Sequence, residues 1–124
     1  MILQTKVLLI TGGTGTLGRA LTKVLVTTNA TTIASYINDK EMENLKSQVK
    51  KAELIRADIT KEDEVKELIS IIIERHSHID ILVNVVGGYI GGKSVAELDE
   101  REWDMMMNMN LKSAFLISKY VIPK

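Results

Sequence analysis

Lys6-Val-Leu-Leu-Ile10 runs directly into Thr11-Gly-Gly-Thr-Gly-Thr-Leu-Gly18. Five residues that are apolar apart from Lys6 read as a strand, and the glycines read as a turn. From Gly18 to about Thr28, Leu17, Leu21, Val24 and Leu25 recur at helical spacing. Strand, glycine turn and helix in immediate succession form the start of a βαβ unit. A turn this tight favours residues without a Cβ, and Gly12, Gly15 and Gly18 answer that need. The N-terminus of the helix then presents free N–H groups and a partial positive charge, which suits a diphosphate. The alternative reading is a purely structural βα turn.

The same alternation continues along the chain. Thr31 to Tyr36 is β-branched and predicts a second strand. Lys40 to Lys50 predicts an amphipathic helix with Met42, Leu45 and Val49 on one face. Glu53 to Ala57 predicts a third strand ending at Asp58. Thr60 is the expected N-cap of a helix from Glu62 to about His76, with Val65, Leu68, Ile69, Ile72 and Ile73 in register. Ile79 to Val86 predicts a fourth strand, followed by the loop Gly87 to Gly92. Asp99 and Glu102 have the spacing of a capping box for a last helix running to Ile122, stopped by Pro123. Strands that are nearly continuous apolar runs are buried on both faces. The expected fold is therefore α/β, a doubly wound parallel sheet of about four strands between helix layers.

Composition narrows the function. The chain has 124 residues, enough for one core, and one domain spanning 1–124 is expected. Sixteen basic residues balance sixteen acidic ones, so neither nucleic acid nor an anionic membrane is an expected partner. No segment approaches the roughly 20 apolar residues of a membrane span. The apolar start, Met1 to Ile10, lacks the features of a signal peptide and reads as a first strand. The absence of cysteine excludes disulfides and thiolate chemistry and fits a cytoplasmic location. His76 and His78 have no third ligand nearby in sequence, so no metal site is expected.

These motifs together resemble the short-chain dehydrogenase/reductase family over essentially the whole chain. The family's compact branch carries Thr-Gly-x-x-x-Gly-x-Gly in its first loop. Thr11, Gly12 and Gly18 match, while Thr16 replaces the middle glycine and Gly15 supplies one a residue earlier. That spacing looks more like the family's extended, epimerase-type branch. The later motifs look like the compact branch. Asp58, in Ala-Asp-Ile-Thr, resembles the aspartate that accepts from the adenine amino group; Ile59 follows it. Asn84-Val85-Val86-Gly87 resembles Asn-Asn-Ala-Gly at the end of the fourth strand. There Asn84 would bond neighbouring backbone, and Gly87 would pass close to a ribose. Asn110-Leu-Lys-Ser-Ala-Phe resembles the helix whose asparagine helps to hold a water in a proton relay.

The resemblance implies a Rossmann-like fold and NAD(P)-dependent redox chemistry on a small carbonyl or alcohol. Thr11, Gly12, Gly13, Thr14, Gly15, Thr16, Leu17 and Gly18 would hold the cofactor with Tyr36, Asp58, Ile59, Asn84, Val85, Val86 and Gly87. Ser35, Tyr36 and Ile37 offer no carboxylate where NAD-preferring sites place one, which favours NADP, while Asp39 argues the other way. In the family a Ser, a Tyr and a Lys perform the proton transfer, and they lie on a fifth strand and its helix. The chain is therefore expected to supply only the cofactor-binding half, truncated before the catalytic half, with Asn110 as its one catalytic match. On its own it is expected to show no reductase turnover. Tyr120 and Lys124 match Tyr-x-x-x-Lys in letters, but Pro123 breaks the helix between them, so Tyr120 is read as a packing residue.

Two other readings stand beside the oxidoreductase: a non-catalytic nucleotide-binding or interaction module, and an inactive truncated fragment. The last helix is apolar on two sides. Trp103, Met106, Met107, Leu111, Ala114, Phe115 and Ile122 form one stripe, and Met105, Met109 and Leu116 lie elsewhere on its circumference. In the family this helix pairs with its copy, so a homo-oligomer through the last helix is expected.

Overall fold

The computed structural model describes residues 2–124; Met1, part of the expected apolar start, lies outside them. Four strands, β1 (Val7–Thr11), β2 (Thr31–Tyr36), β3 (Glu53–Arg56) and β4 (Ile81–Asn84), form one parallel sheet in the order β3-β2-β1-β4. The helices between them are α1 (Thr16–Leu25), α2 (Asp39–Gln48) and α3 (Glu62–His76). After β4 come a 3₁₀ turn (Val95–Glu97), α4 (Glu100–Met107), a π-helical turn (Asn108–Lys112) and α5 (Ser113–Val121). The chain thus crosses from β1 outward to β3, then returns to place β4 on the other side of β1. That reversal is the switch point of a doubly wound sheet, where ligands bind at the carboxyl ends of the strands. β4 is an edge of the described sheet.

Alternation along β1 sends its residues to two layers. Val7 and Leu9 join Ile33 in a core completed by Val65, Leu68, Ile69 and Ile72 of α3 and by Leu116, Ile117 and Val121 of α5. Leu8 and Ile10 are equally buried and face the opposite layer, where α1 contacts β1 and β2. The face that α1 turns to the sheet is not its leucine stripe. Gly18 and Thr22 are the buried positions, while Leu17 and Val24 are exposed. The Thr22 hydroxyl donates to the Gly13 carbonyl at 3.1 Å. Close approach of helix to sheet leaves room for a glycine and a threonine, with Leu21 and Leu25 half-buried and Leu17 and Val24 displaced outward.

Other boundaries shift for identifiable reasons. α1 begins two residues before Gly18, because Gly15 takes the N-cap position. β4 is shorter than Ile79 to Val86, since only four residues find register against β1. Lys61, not Thr60, is the N-cap of α3. Thr60 is instead turned back by Asp58, whose Oδ1 accepts from its N–H at 3.0 Å and its hydroxyl at 2.7 Å. The Asp99–Glu102 capping box is present in both directions. The predicted single last helix is interrupted by the π turn around Asn110.

Charged clasps hold the layers at their margins. Asp80 accepts from Lys6 Nζ and from the Val7 N–H, both at 2.8 Å, tying the start of β1 to β4. Glu62 accepts from Lys119 Nζ at 2.8 Å and from the Tyr120 hydroxyl at 2.5 Å, tying α3 to α5. The two histidines engage separate carboxylates, His76 with Glu53 at 2.8 Å and His78 with Asp80 at 3.0 Å.

The hydrogen bonds from Lys6 and from the Val7 N–H hold the Asp80 carboxyl down, from an ordinary 3.8 to about 2. A carboxyl depressed on folding stabilises the fold above its unfolded pKa, and that contribution disappears as pH falls through the folded value. Asp80→Asn is therefore expected to lower the thermal midpoint at pH 7. The gap between variant and wild type should close as pH drops from about 4 towards about 2. Melting curves followed by circular dichroism across that range check it; a gap independent of pH contradicts it.

Candidate functional site

The loop after β1 is built by contact of main chain on main chain. Gly12 has φ +64°, the left-handed region that favours glycine, and a Cβ there would meet Val86 Cγ2 at 2.9 Å. A Cβ on Gly18 would stand 2.0 Å from the Gly12 carbonyl oxygen. One on Gly13 would stand 2.4 Å from the Cβ of Ala34 in β2. Gly15 is different: its φ is −67°, and a Cβ would find its nearest neighbour, the Gly12 oxygen, at 3.6 Å. The other glycines close the turn, whereas Gly15 keeps its outer surface low.

That surface is the floor of a cleft of about 480 Å³ along the carboxyl ends of the strands. Gly12, Thr14, Gly15, Thr16, Leu17 and Gly18 supply one wall. Tyr36 at the end of β2, Asp58 and Ile59 after β3, and Val85, Val86 and Gly87 after β4 line it from the other strands. Twelve of the fifteen cofactor-site residues expected from sequence therefore share one cavity. Thr11, Gly13 and Asn84 stand behind it. The Thr11 hydroxyl donates to Asn84 Oδ1 at 2.6 Å and accepts from the Val85 N–H at 3.2 Å. Asn84 thus bonds a side chain rather than the neighbouring backbone, and the pair fixes where the chain leaves the sheet.

Sequence reasoning missed Ser35, Ile37, Glu41, Ala57, Thr60 and Met109, which also line the cleft. Ser35 and Ile37 flank Tyr36 and could have been taken with it. Ser35 also orders the first loop, accepting from the Gly12 N–H on its hydroxyl at 3.3 Å and from the Gly13 N–H on its carbonyl at 3.0 Å. Glu41 and Met109 reach the cleft only through tertiary structure.

The α1 N-terminus opens into this cleft. Gly15 makes no side-chain cap, so the first N–H groups of α1 have no partner from that source. Across the cleft, burial pushes the Asp58 carboxyl up, but donation from Thr60 and the nearby Lys61 ammonium outweigh it and hold it below the usual range. Its Oδ1 is engaged by Thr60.

Asn110 does not point into open space. Its Oδ1 accepts from the Gly88 N–H at 3.0 Å, and its Nδ2 donates to the carbonyls of Gly88 at 2.9 Å and Met106 at 2.8 Å. A Cβ on Gly87 would stand 2.8 Å from that Oδ1. The π turn and Gly87 together let Asn110 clamp the loop after β4, and π turns are frequent at functional sites. Tyr120 is remote from the cleft: its ring packs against the core and its hydroxyl is held by Glu62.

A family model described as short chain dehydrogenase matches residues 6–124. The chain belongs to the short-chain dehydrogenase family. It is 34% identical to the 3-oxoacyl-acyl-carrier-protein reductase of Thermotoga maritima, a match covering 99% of this chain and 51% of that protein. Among solved structures, the aldohexose dehydrogenase of Thermoplasma acidophilum is 30% identical with a TM-score of 0.86, covering 98% of this chain and 45% of that one. An NADH-dependent reductase solved with NAD is 31% identical with a TM-score of 0.82, covering 98% and 52%. This family member spans about half the length of the relatives it matches.

The glycines separate by mechanism. Gly18→Ala is expected to cost about 3 kcal/mol or more, since a backbone oxygen occupies the space and the main chain must move. Gly15→Ala is expected to stay within about 1 kcal/mol of wild type. Denaturant unfolding of both variants measures this; equal losses contradict the assignment.

Proposed function

We propose that this chain supplies the NAD(P)-binding portion of an oxidoreductase that moves hydride between a nicotinamide and a small carbonyl or alcohol. The observation that carries it is the glycine cradle of Gly12, Gly15 and Gly18 at the N-terminus of α1, opening at the switch point between β1 and β4. A diphosphate needs main-chain approach, unpaired N–H groups and a positive dipole end, and the cradle offers all three. The cleft is lined by Tyr36 and Asp58 on one side of that floor and by Val85, Val86 and Gly87 on the other, one wall for each nucleoside of a dinucleotide. In this reading Asp58 accepts from an adenine amino group through the oxygen that Thr60 leaves free. Val85, Val86 and Gly87 border the nicotinamide-side ribose, and Asn110 positions their loop. Thr11, Gly13 and Asn84 act behind them as positioning residues.

A bound nicotinamide would supply hydride donation or acceptance. This chain's residues would bind and orient it, and no Ser-Tyr-Lys set stands in the cleft among the described residues. Tyr120, remote from the cleft and held by Glu62, is not placed to pass a proton to a substrate there. A non-catalytic nucleotide-binding module would use the same cradle.

Gly15→Val tests the cradle without breaking it, because Gly15 has room for a Cβ that projects into the cleft. Calorimetric titration of wild type with NAD and with NADP should give saturable binding to at least one. Gly15→Val should lower it by about 100-fold or abolish it while keeping its thermal midpoint. Equal heats from wild type and variant contradict the reading.

The proposal extends to a homo-oligomer through the last helices. Leu116, Ile117 and Val121 turn inward, which corrects the grouping of Leu116 with Met105 and Met109. Trp103, Met107, Leu111, Phe115 and Ile122 are exposed as one apolar face. A face of this kind favours burial against a second copy. Sedimentation velocity should show a dimer in wild type and a monomer in Phe115→Glu. A monomeric wild type throughout the micromolar range contradicts it.

A further inference from the structure

At the adenosine end of the cleft the wall is closed by α2. Glu41, in the first turn of that helix, lines the cleft beside Ser35, Tyr36 and Ile37. Its Oε2 accepts from the Thr14 hydroxyl at 3.3 Å, bridging α2 to the glycine loop. Asn38 fixes the height of the residue by accepting from the Glu41 N–H at 3.2 Å. The carboxylate therefore spans the gap between the first loop and the end of β2. Two carboxylates, Glu41 and Asp58, line the cleft, and no lysine or arginine does so among the described residues.

Resting on the cofactor reading above, we propose that Glu41 sets the cofactor choice, its carboxylate accepting from the ribose hydroxyls of NAD and excluding the 2′-phosphate of NADP. A dinucleotide whose diphosphate lies on the α1 N-terminus places its adenosine ribose at the end of β2. Dinucleotide sites that choose NAD set an acidic side chain there to accept from the 2′-hydroxyl. Here the end of β2 carries Ser35, Tyr36 and Ile37, and the acid comes from the next helix, through space rather than at the expected sequence position. A 2′-phosphate would meet that carboxylate with no cation on the cleft wall to offset the repulsion, and like charges so placed oppose binding strongly. This reverses the preference for NADP that the residues at 35–37 suggest when read alone.

Calorimetric titration of the chain with NAD and with NADP, in wild type, Glu41→Gln and Glu41→Lys, tests the assignment. Glutamine keeps the length of the side chain and an oxygen that can accept from Thr14, so the fold is retained. Wild type should bind NAD at least about tenfold more tightly than NADP. Glu41→Gln should bring the two within about threefold, and Glu41→Lys should favour NADP. A wild type that binds both dinucleotides equally, or a ratio unchanged in Glu41→Gln, overturns the role of Glu41 and leaves the cofactor site standing. A wild type that binds neither overturns both.

Discussion

The structure depends on one close contact, that of the Gly18 backbone on the Gly12 carbonyl. With no Cβ between them, α1 starts where β1 ends and lies against β1 and β2 with Thr22 bonded to Gly13. The helix N-terminus is thereby delivered to the carboxyl edge of the sheet. Any larger side chain at Gly18 separates helix from strand and moves the unpaired N–H groups away from the cleft. Gly12 extends the constraint to the far side of the switch point, because its missing Cβ makes room for Val86.

The strand beyond the switch is held to the same loop. Thr11 and Asn84 sit opposite one another in register, and the Thr11 hydroxyl both donates to Asn84 and accepts from the Val85 N–H. The segment that leaves β4 is then gripped a second time by Asn110 through Gly88. Interrupting a helix with a π turn is costly as local structure, and here it coincides with a side chain that makes three hydrogen bonds. The cleft is consequently bordered by segments fixed from behind, which is the arrangement that pre-organises a binding site.

Much of this was legible in the sequence. The strands announced themselves as apolar runs because both faces of a parallel sheet are covered, and glycine spacing marked the turn. What escaped was whatever depends on the distance between elements. The spacing of Leu17, Leu21, Val24 and Leu25 marks α1 as a helix, but the positions it buries against the sheet are Gly18 and Thr22. Thr60 looked like a cap until Asp58 claimed it, moving the N-cap to Lys61. A uniform helical period conceals the π turn, and the structure separates Leu116, which is buried, from Met105, which is exposed and grouped with it by sequence. Glu41 is one acid in a charged surface helix by sequence, and only the approach of α2 to the glycine loop brings it to the cleft.

An anionic dinucleotide seated on the first turn of α1, as proposed, is reported directly by the backbone amides there. ¹⁵N–¹H correlation spectra of the labelled chain, titrated with NAD, read each amide separately. The largest shifts are expected at Thr14 to Gly18, with a second group at Tyr36 and Ile37. Unmoved amides in the first loop, with shifts confined to the exposed face of α5 or absent, would contradict the account.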